Sequence, residues 1–336
     1  MRFKRLIMTV DAHVQGGPVR AVIGGIPNIP GKTMAEKQDF AKLHIDNLRT
    51  ALLCEPRGHR DMFACILTAP VTDEADFGAL FLGSGAPTGY VSMCGHGSLG
   101  VATIAVETGI VEAREPITEI IIDTLAGSIH VRVNVKDGRA ESATIQNVPA
   151  FLYKTELIEV PNLGQLPVDI VYGGNYYALV EAKHLGFEIN AANIWRSEDL
   201  FAQIMESVNR QVEIRHPEID SIKGVIGVLI SDRSIDPKAN IRNILVAGGG
   251  HIDRSPCGTG TCARMAAAHA KGELSLEETF VTESLLGTFF YGKLVKEVNV
   301  SGIRAVVPEV SGRGFITGIH NFVIDEEDPL KYGFKL

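Results

Sequence analysis

Most of the periodic segments in this chain repeat every second residue. Alternating or β-branched runs at 3–10, 19–24, 61–70, 76–82, 140–147, 168–182, 224–231 and 241–246 predict strands. Two stretches, 33–46 and 197–214, are apolar on one side and charged on the other, as surface helices are. Two others have no polar side: "MCGHGSLGVATIAVETGIV" from Met93 and "PCGTGTCARMAAAHAKGEL" from Pro256. A helix apolar on nearly every face belongs inside a domain.

Those two segments share a plan. Each opens with Cys-Gly-X-Gly and breaks at a glycine 15 residues after its cysteine, Gly109 after Cys94 and Gly272 after Cys257. A helix that starts just past the cysteine and stops at a C-terminal glycine explains both. Each is followed by a β-rich segment split by a glycine, "EIIIDTLAGSIHVRV" (119–133) at Gly127 and "TFVTESLLGTFFYGKLV" (279–295) at Gly287. These glycines lie 33 and 30 residues after their cysteines. The chain therefore reads as α+β, with two pseudo-symmetric halves, each a strongly curved sheet or barrel wrapped around a central buried helix. The boundary is expected near 148–165, in the segment "VPAFLYKTELIEVPNLGQLP" from Val148, whose three prolines interrupt the periodicity. Residues 1–150 would form the first half and 151–310 the second, with about 311–336 returning to the first.

Composition narrows the function. The chain has 336 residues, 45% of them hydrophobic and 21% charged, which suits a soluble globular protein with ample core. A net charge of -8 leaves no basic surface for nucleic acid or an anionic membrane. No run approaches the roughly 20 apolar residues of a membrane helix, and the apolar stretch near the N-terminus is too short for a signal peptide. Five cysteines (54, 65, 94, 257 and 262) at irregular spacing argue against a disulfide framework and for a reducing cytoplasm. Cys54 and Cys65 sit inside apolar runs and read as small core residues.

A cysteine in the first turn of a helix lies where unpaired backbone N–H groups and the helix dipole favour negative charge, so its thiolate is expected to be accessible near neutral pH. The glycines beside it strip away side chains and free N–H groups for a carboxylate. Two such sites, one per half and facing one ligand, are what inversion of an amino-acid α-carbon requires: a thiolate takes the proton from one face and a thiol returns one to the other. No metal or other cofactor is needed, and the expected partner is a small molecule.

Other motifs carry less. "GGIPNIPGKT" (24–33) departs from phosphate-loop spacing, and its prolines remove needed donors. "GGG" (248–250) lacks the helix of a dinucleotide fingerprint and reads as a flexible turn. Cys257 and Cys262 point about 140° apart on a helix, which excludes joint metal ligation. Cys94 and His96 have no further ligands nearby in sequence for zinc. His96, inside the glycine turn, reads as ligand-facing. Asp11 and His13 read as turn capping, and His251 as a water-exposed loop residue.

At "MCGHG" (93–97) and "DRSPCGTGT" (253–261) the sequence resembles the proline racemase family, which includes hydroxyproline 2-epimerases and trans-3-hydroxyproline dehydratases. The resemblance extends colinearly through "DAHVQGG" (11–17), "GGIPNIPGKTM" (24–34), "EPRGHRDMF" (55–63), "YGGNYYALV" (172–180) and "TGIHNFVIDEEDPLKYGF" (317–334). It implies two α/β halves with the active site in the cleft between them, Cys94 and Cys257 as catalytic bases, and a homodimer as a candidate assembly. It further implies that Gly95, His96, Gly258 and Thr259 contact substrate and that Asp253 meets its ring ammonium. The dehydratases carry Thr at the second cysteine, so Cys257 implies racemisation or epimerisation. The epimerases carry a histidine near Leu229, absent here, which favours an unsubstituted ring. Ala247, where many relatives are bulkier, leaves room for a larger one.

Overall fold

The computed structural model describes residues 5–84 and 89–335, so residues 3 and 4 of the first expected strand lie outside the described residues. The chain forms two compact units, Met1–Thr144 with Arg313–Leu336, and Ile145–Gly312.

The first unit contains β1 (Arg5–Val14), β2 (Gly17–Gly24), α1 (Met34–His44), α2 (Asp46–Leu53), β3 (Phe63–Thr68) and β4 (Phe77–Gly83). It continues through β5 (Tyr90–Val91), α3 (Gly95–Glu107), β6 (Ile117–Thr124) and β7 (Gly127–Lys136), and the chain leaves it within β8 (Arg139–Gln146). The second unit holds β9 (Phe151–Val160), β10 (Gly164–Tyr172), β11 (Tyr176–Glu181), α4 (Ala191–Arg196), α5 (Glu198–Gln211), β12 (Val225–Asp232) and β13 (Ile241–Ala247). It ends with β14 (His251–Ile252), α6 (Gly258–Ala270), β15 (Phe280–Glu283), β16 (Phe289–Val300) and β17 (Ile303–Gly312), after which β18 (Gly314–Ile324) returns to the first unit.

The first unit's sheet runs β18-β1-β2-β3-β4-β6-β7, antiparallel except for β2–β3 and β4–β6. The second runs β9-β10-β11-β12-β13-β15-β16-β17, antiparallel except for β11–β12 and β13–β15. One succession of pairing senses is thus used twice, and the fold is mixed α+β. Strand β7 shows the sequence logic: Ile129, Val131, Val133 and Val135 are buried, while of the residues between them His130 and Asn134 are exposed and Arg132 is half-buried. The 119–133 segment is a hairpin turned at Leu125 and Ala126, and 279–295 likewise splits around Gly287 into β15 and β16.

Helix α3 is buried along Gly95–Val106, and α6 buries ten of its residues. Within its own unit, α3 packs on β1, β2, β3, β6, β7 and β18, and α6 packs on β9, β10, β11, β13, β16 and β17. Gly109 and Gly272 end these helices at φ 72° and 75°, where an L side chain is strained. At Gly272 the end is closed by Gly272 N–H to His269 O and Glu273 N–H to Ala268 O, the paired bonds of a Schellman turn.

Three expectations are corrected. The stretch 148–165, expected to lose periodicity at the boundary between halves, is mostly the hairpin β9–β10. Its prolines fit because Pro161 lies in the turn and Pro167 in the part of β10 that β11 does not reach. Asp11 caps no turn. It lies opposite Arg20 in the β1–β2 ladder and receives Arg20 Nε at 3.0 Å and Nη2 at 2.7 Å, both side chains buried. His13 does serve its turn, Nδ1 accepting from Gly16 N–H at 3.4 Å. His251 is half-buried on β14, paired opposite Ala247 of β13.

The Arg20 guanidinium also donates to the carbonyls of Leu52 and Arg57 and stacks over Phe322 at 4.3 Å, tying β1, α2 and β18 together. Asp11→Ala would strand that cation in the interior. Urea unfolding is expected to show a loss of about 3–5 kcal/mol, the usual cost of removing one partner from a buried pair. A loss below about 1 kcal/mol would contradict this reading.

Candidate active site

In the first unit Cys94 is the N-cap of α3. Its backbone is extended (φ -137°, ψ 117°), and its sulfur accepts the Gly97 N–H at 3.3 Å. That N–H is one of the helix's orphan donors, so a sulfur placed there gains both a hydrogen bond and the positive end of the dipole. His96 Nδ1 lies 3.5 Å from the same sulfur, and the imidazole, itself buried, rests against Phe63 with ring centres 5.0 Å apart.

In the second unit Cys257 is the N-cap of α6, and its sulfur accepts the Gly260 N–H at 3.2 Å. Here the backbone is unusual, with φ 62° and ψ 104° for a residue that has a side chain. Such a conformation costs about 1–3 kcal/mol and persists only where its surroundings enforce it. Ser255 supplies part of that enforcement: its Oγ accepts the Cys257 N–H at 3.2 Å and donates to Asp253 Oδ1 at 2.9 Å. The same Oδ1 accepts the Ser255 N–H at 2.8 Å, so a buried Asp253 carboxylate is held against the turn that leads into Cys257.

The last glycine of each Cys-Gly-X-Gly motif answers a packing demand. A Cβ on Gly97 would lie 3.1 Å from the Cys94 sulfur and 3.0 Å from Phe81. A Cβ on Gly260 would lie 2.8 Å from the Cys257 sulfur and 2.7 Å from Leu229. The thiol occupies the space a side chain would need. Val171, Leu179, Leu229 and Leu245 pack with Cys257, and Ala247 borders this cluster.

The expected site residues therefore assemble within their own units: Cys94, Gly95 and His96 in one, and Asp253, Cys257, Gly258 and Thr259 in the other. Sequence reasoning passed over three side chains. Ser255 is one. The others are Tyr177, whose hydroxyl lies 2.7 Å from Thr259 Oγ1, and Asn175, which donates to that phenol at 3.3 Å. Their polar residue types inside the apolar segment around β11 were the available signal.

The remaining thiols differ in kind. Burial, reinforced by the charge of nearby Cys94, pushes Cys65 well above the usual thiol range. Burial pushes Cys262 up to about 12 despite a hydrogen bond with Asn147. Both are neutral at physiological pH. Among the described residues, no group of three or more His, Cys, Asp or Glu is arranged to hold a metal ion, and no helix is long and apolar enough to cross a membrane.

A sequence profile of the family described as proline racemase matches residues 9–335. A proline racemase of Clostridioides difficile is 46% identical over the whole of both chains. A 4-hydroxyproline 2-epimerase of Streptosporangium roseum is 42% identical, again over the whole of both. Among solved structures, a hydroxyproline epimerase of Agrobacterium vitis with bound trans-4-hydroxy-L-proline superposes with a TM-score of 0.92 at 33% identity, covering 100% of this chain and 97% of that one.

Two glycine substitutions separate the roles of this residue type. Gly260→Ala is expected to push the Cys257 sulfur off its N–H donor and slow its alkylation by iodoacetamide at neutral pH. Gly272→Ala meets no atom within 4 Å, so it should leave that rate unchanged and cost only the left-handed backbone, about 1–2 kcal/mol by urea unfolding. Equal effects of the two on alkylation would contradict the packing argument.

Proposed function

Because the chain belongs to the proline racemase family, as an isomerase acting on proline or hydroxyproline, we propose that it interconverts L- and D-proline with Cys94 and Cys257 as a cofactor-independent acid/base pair. The carrying observation is that each of these two cysteines, and neither Cys65 nor Cys262, caps a buried helix with its sulfur on a backbone N–H.

In this reading the thiolate of one cysteine takes the α-proton from one face of the substrate, and the thiol of the other delivers its own proton to the opposite face. The enzyme is left with thiol and thiolate exchanged, ready for the reverse reaction. The N–H aimed at each sulfur fixes its position at the start of the helix. The backbone N–H groups of the same first turns, around Gly95 and His96 and around Gly258 and Thr259, receive the substrate carboxylate and offset charge that develops on it as the α-carbon is deprotonated. Asp253, already oriented by Ser255, pairs with the ring ammonium. Both thiols must stay reduced, which suits a cytoplasmic enzyme.

The apolar side chains packed with Cys257, Leu229 and Leu245 among them, favour an unsubstituted ring. A second reading, 4-hydroxyproline 2-epimerisation, draws on the small Ala247 and on His251 directly across the ladder from it, a place from which an imidazole can meet a ring hydroxyl.

In heavy water, L-proline is expected to gain deuterium at the α-carbon while its optical rotation falls to zero, followed by mass spectrometry and polarimetry. Cys94→Ser and Cys257→Ser should each abolish net inversion. Full activity in both would overturn the two-thiol mechanism. Chiral chromatography of proline and its 3- and 4-hydroxy isomers under equal conditions should show proline turned over fastest. Preferential conversion of trans-4-hydroxy-L-proline would establish the second reading instead.

A further inference from the structure

Cys94 and Cys257 are seated alike on helix N–H groups, but their remaining polar neighbours differ. Beside Cys94 stands an imidazole. Beside Cys257 stands the end of a chain of hydroxyls that begins in β11. The Asn175 side-chain N–H donates to the Tyr177 hydroxyl at 3.3 Å, that hydroxyl lies 2.7 Å from Thr259 Oγ1, and Thr259 Oγ1 lies 3.9 Å from the Cys257 sulfur. All three side chains are buried, at 3%, 2% and 3% exposure, so water does not compete for these bonds.

A hydroxyl has one proton to donate, and this sets a direction. Asn175 donates into the phenol oxygen, which leaves the phenol its own proton for Thr259. A Thr259 oxygen that accepts from the phenol has its own proton to offer the sulfur 3.9 Å away. Each donor polarises the next, in a low-dielectric interior where such chains strengthen. The chain favours negative sulfur, because a thiolate accepts a hydrogen bond better than a thiol does.

We propose that Tyr177 is a positioning residue for the acid/base chemistry of Cys257: held by Asn175, it orients the Thr259 hydroxyl to donate to the Cys257 thiolate. The proposal rests on the two-thiol reading of the site and deepens it, giving the second thiolate a side-chain donor of a kind the first lacks. Other polar groups near Cys257 have bonds of their own. The turn before it carries Asp253, bonded to Ser255, and Arg254, which donates to the Ile252 carbonyl, while β12 and β13 present Leu229 and Leu245.

The test reads each thiol directly in the resting enzyme. Protein labelled with carbon-13 at cysteine Cβ is titrated with base, and the Cβ resonance of each cysteine reports its own midpoint. Tyr177→Phe keeps the ring and removes only the hydroxyl, and it is expected to raise the Cys257 midpoint by about one unit while that of Cys94 stays in place. Thr259→Val should raise it at least as far. The double substitution should raise it no further than Thr259→Val alone, because Tyr177 acts only through Thr259. Thr259→Ser, which keeps the hydroxyl, should retain the wild-type midpoint. A Cys257 midpoint unmoved by Tyr177→Phe, an equal shift at Cys94, or additive shifts in the double variant would each overturn the proposal. None of these readings needs turnover, so retention of inversion by the two Cys→Ser variants would sink the two-thiol reading and leave this result to stand or fall separately.

Discussion

The structure turns on a single kind of contact, a cysteine sulfur accepting the backbone N–H three residues further along the chain at a helix start. That contact decides why the third residue after each cysteine is glycine, since the sulfur fills the place of a Cβ. It also decides why the helix behind it is buried. A helix end exposed to water would offer its orphan N–H groups to solvent and lose most of its pull on a charge. In each unit the buried helix packs on six strands of a sheet of seven or eight.

The two sulfurs reach equivalent seats by different routes. Cys94 arrives from extended backbone that any residue can adopt, whereas Cys257 arrives with a positive φ that has to be held. The holding group, Ser255, also fixes Asp253. Backbone strain and carboxylate orientation are thereby coupled through one hydroxyl, so a change at Ser255 reaches the thiol and the carboxylate together. The Asn175–Tyr177–Thr259 chain joins the same thiol to β11.

Much of this was legible in the sequence, for identifiable reasons. The two apolar helices were visible because Ala, Val, Leu and Gly on every face leave no alternative to burial, and their ends were visible because glycine alone adopts φ near 75° without strain. Strand β7 showed itself through strict alternation. Strand β9 did not, since Lys154, Thr155, Glu156 and Leu157 are exposed one after another and break its alternation. Helices α2 and α4, eight and six residues long, are too short for a helical period to establish itself. The candidate cysteines were found from spacing. Ser255, Tyr177 and Asn175 were not, because their part depends on hydrogen bonds between residues that spacing does not connect.

The enclosure of α3 has a consequence for how the protein comes into being. Its sequence, "GHGSLGVATIAVE", is rich in glycine and β-branched residues that are poor helix formers on their own. An isolated peptide of this composition would not hold a first turn, so the N–H that Cys94 accepts comes into existence only once the surrounding strands have closed. A nascent or partly unfolded chain therefore carries five ordinary cysteines. The two sulfur seats are acquired together with the packing of the helices behind them, and a molecule that misfolds lacks both.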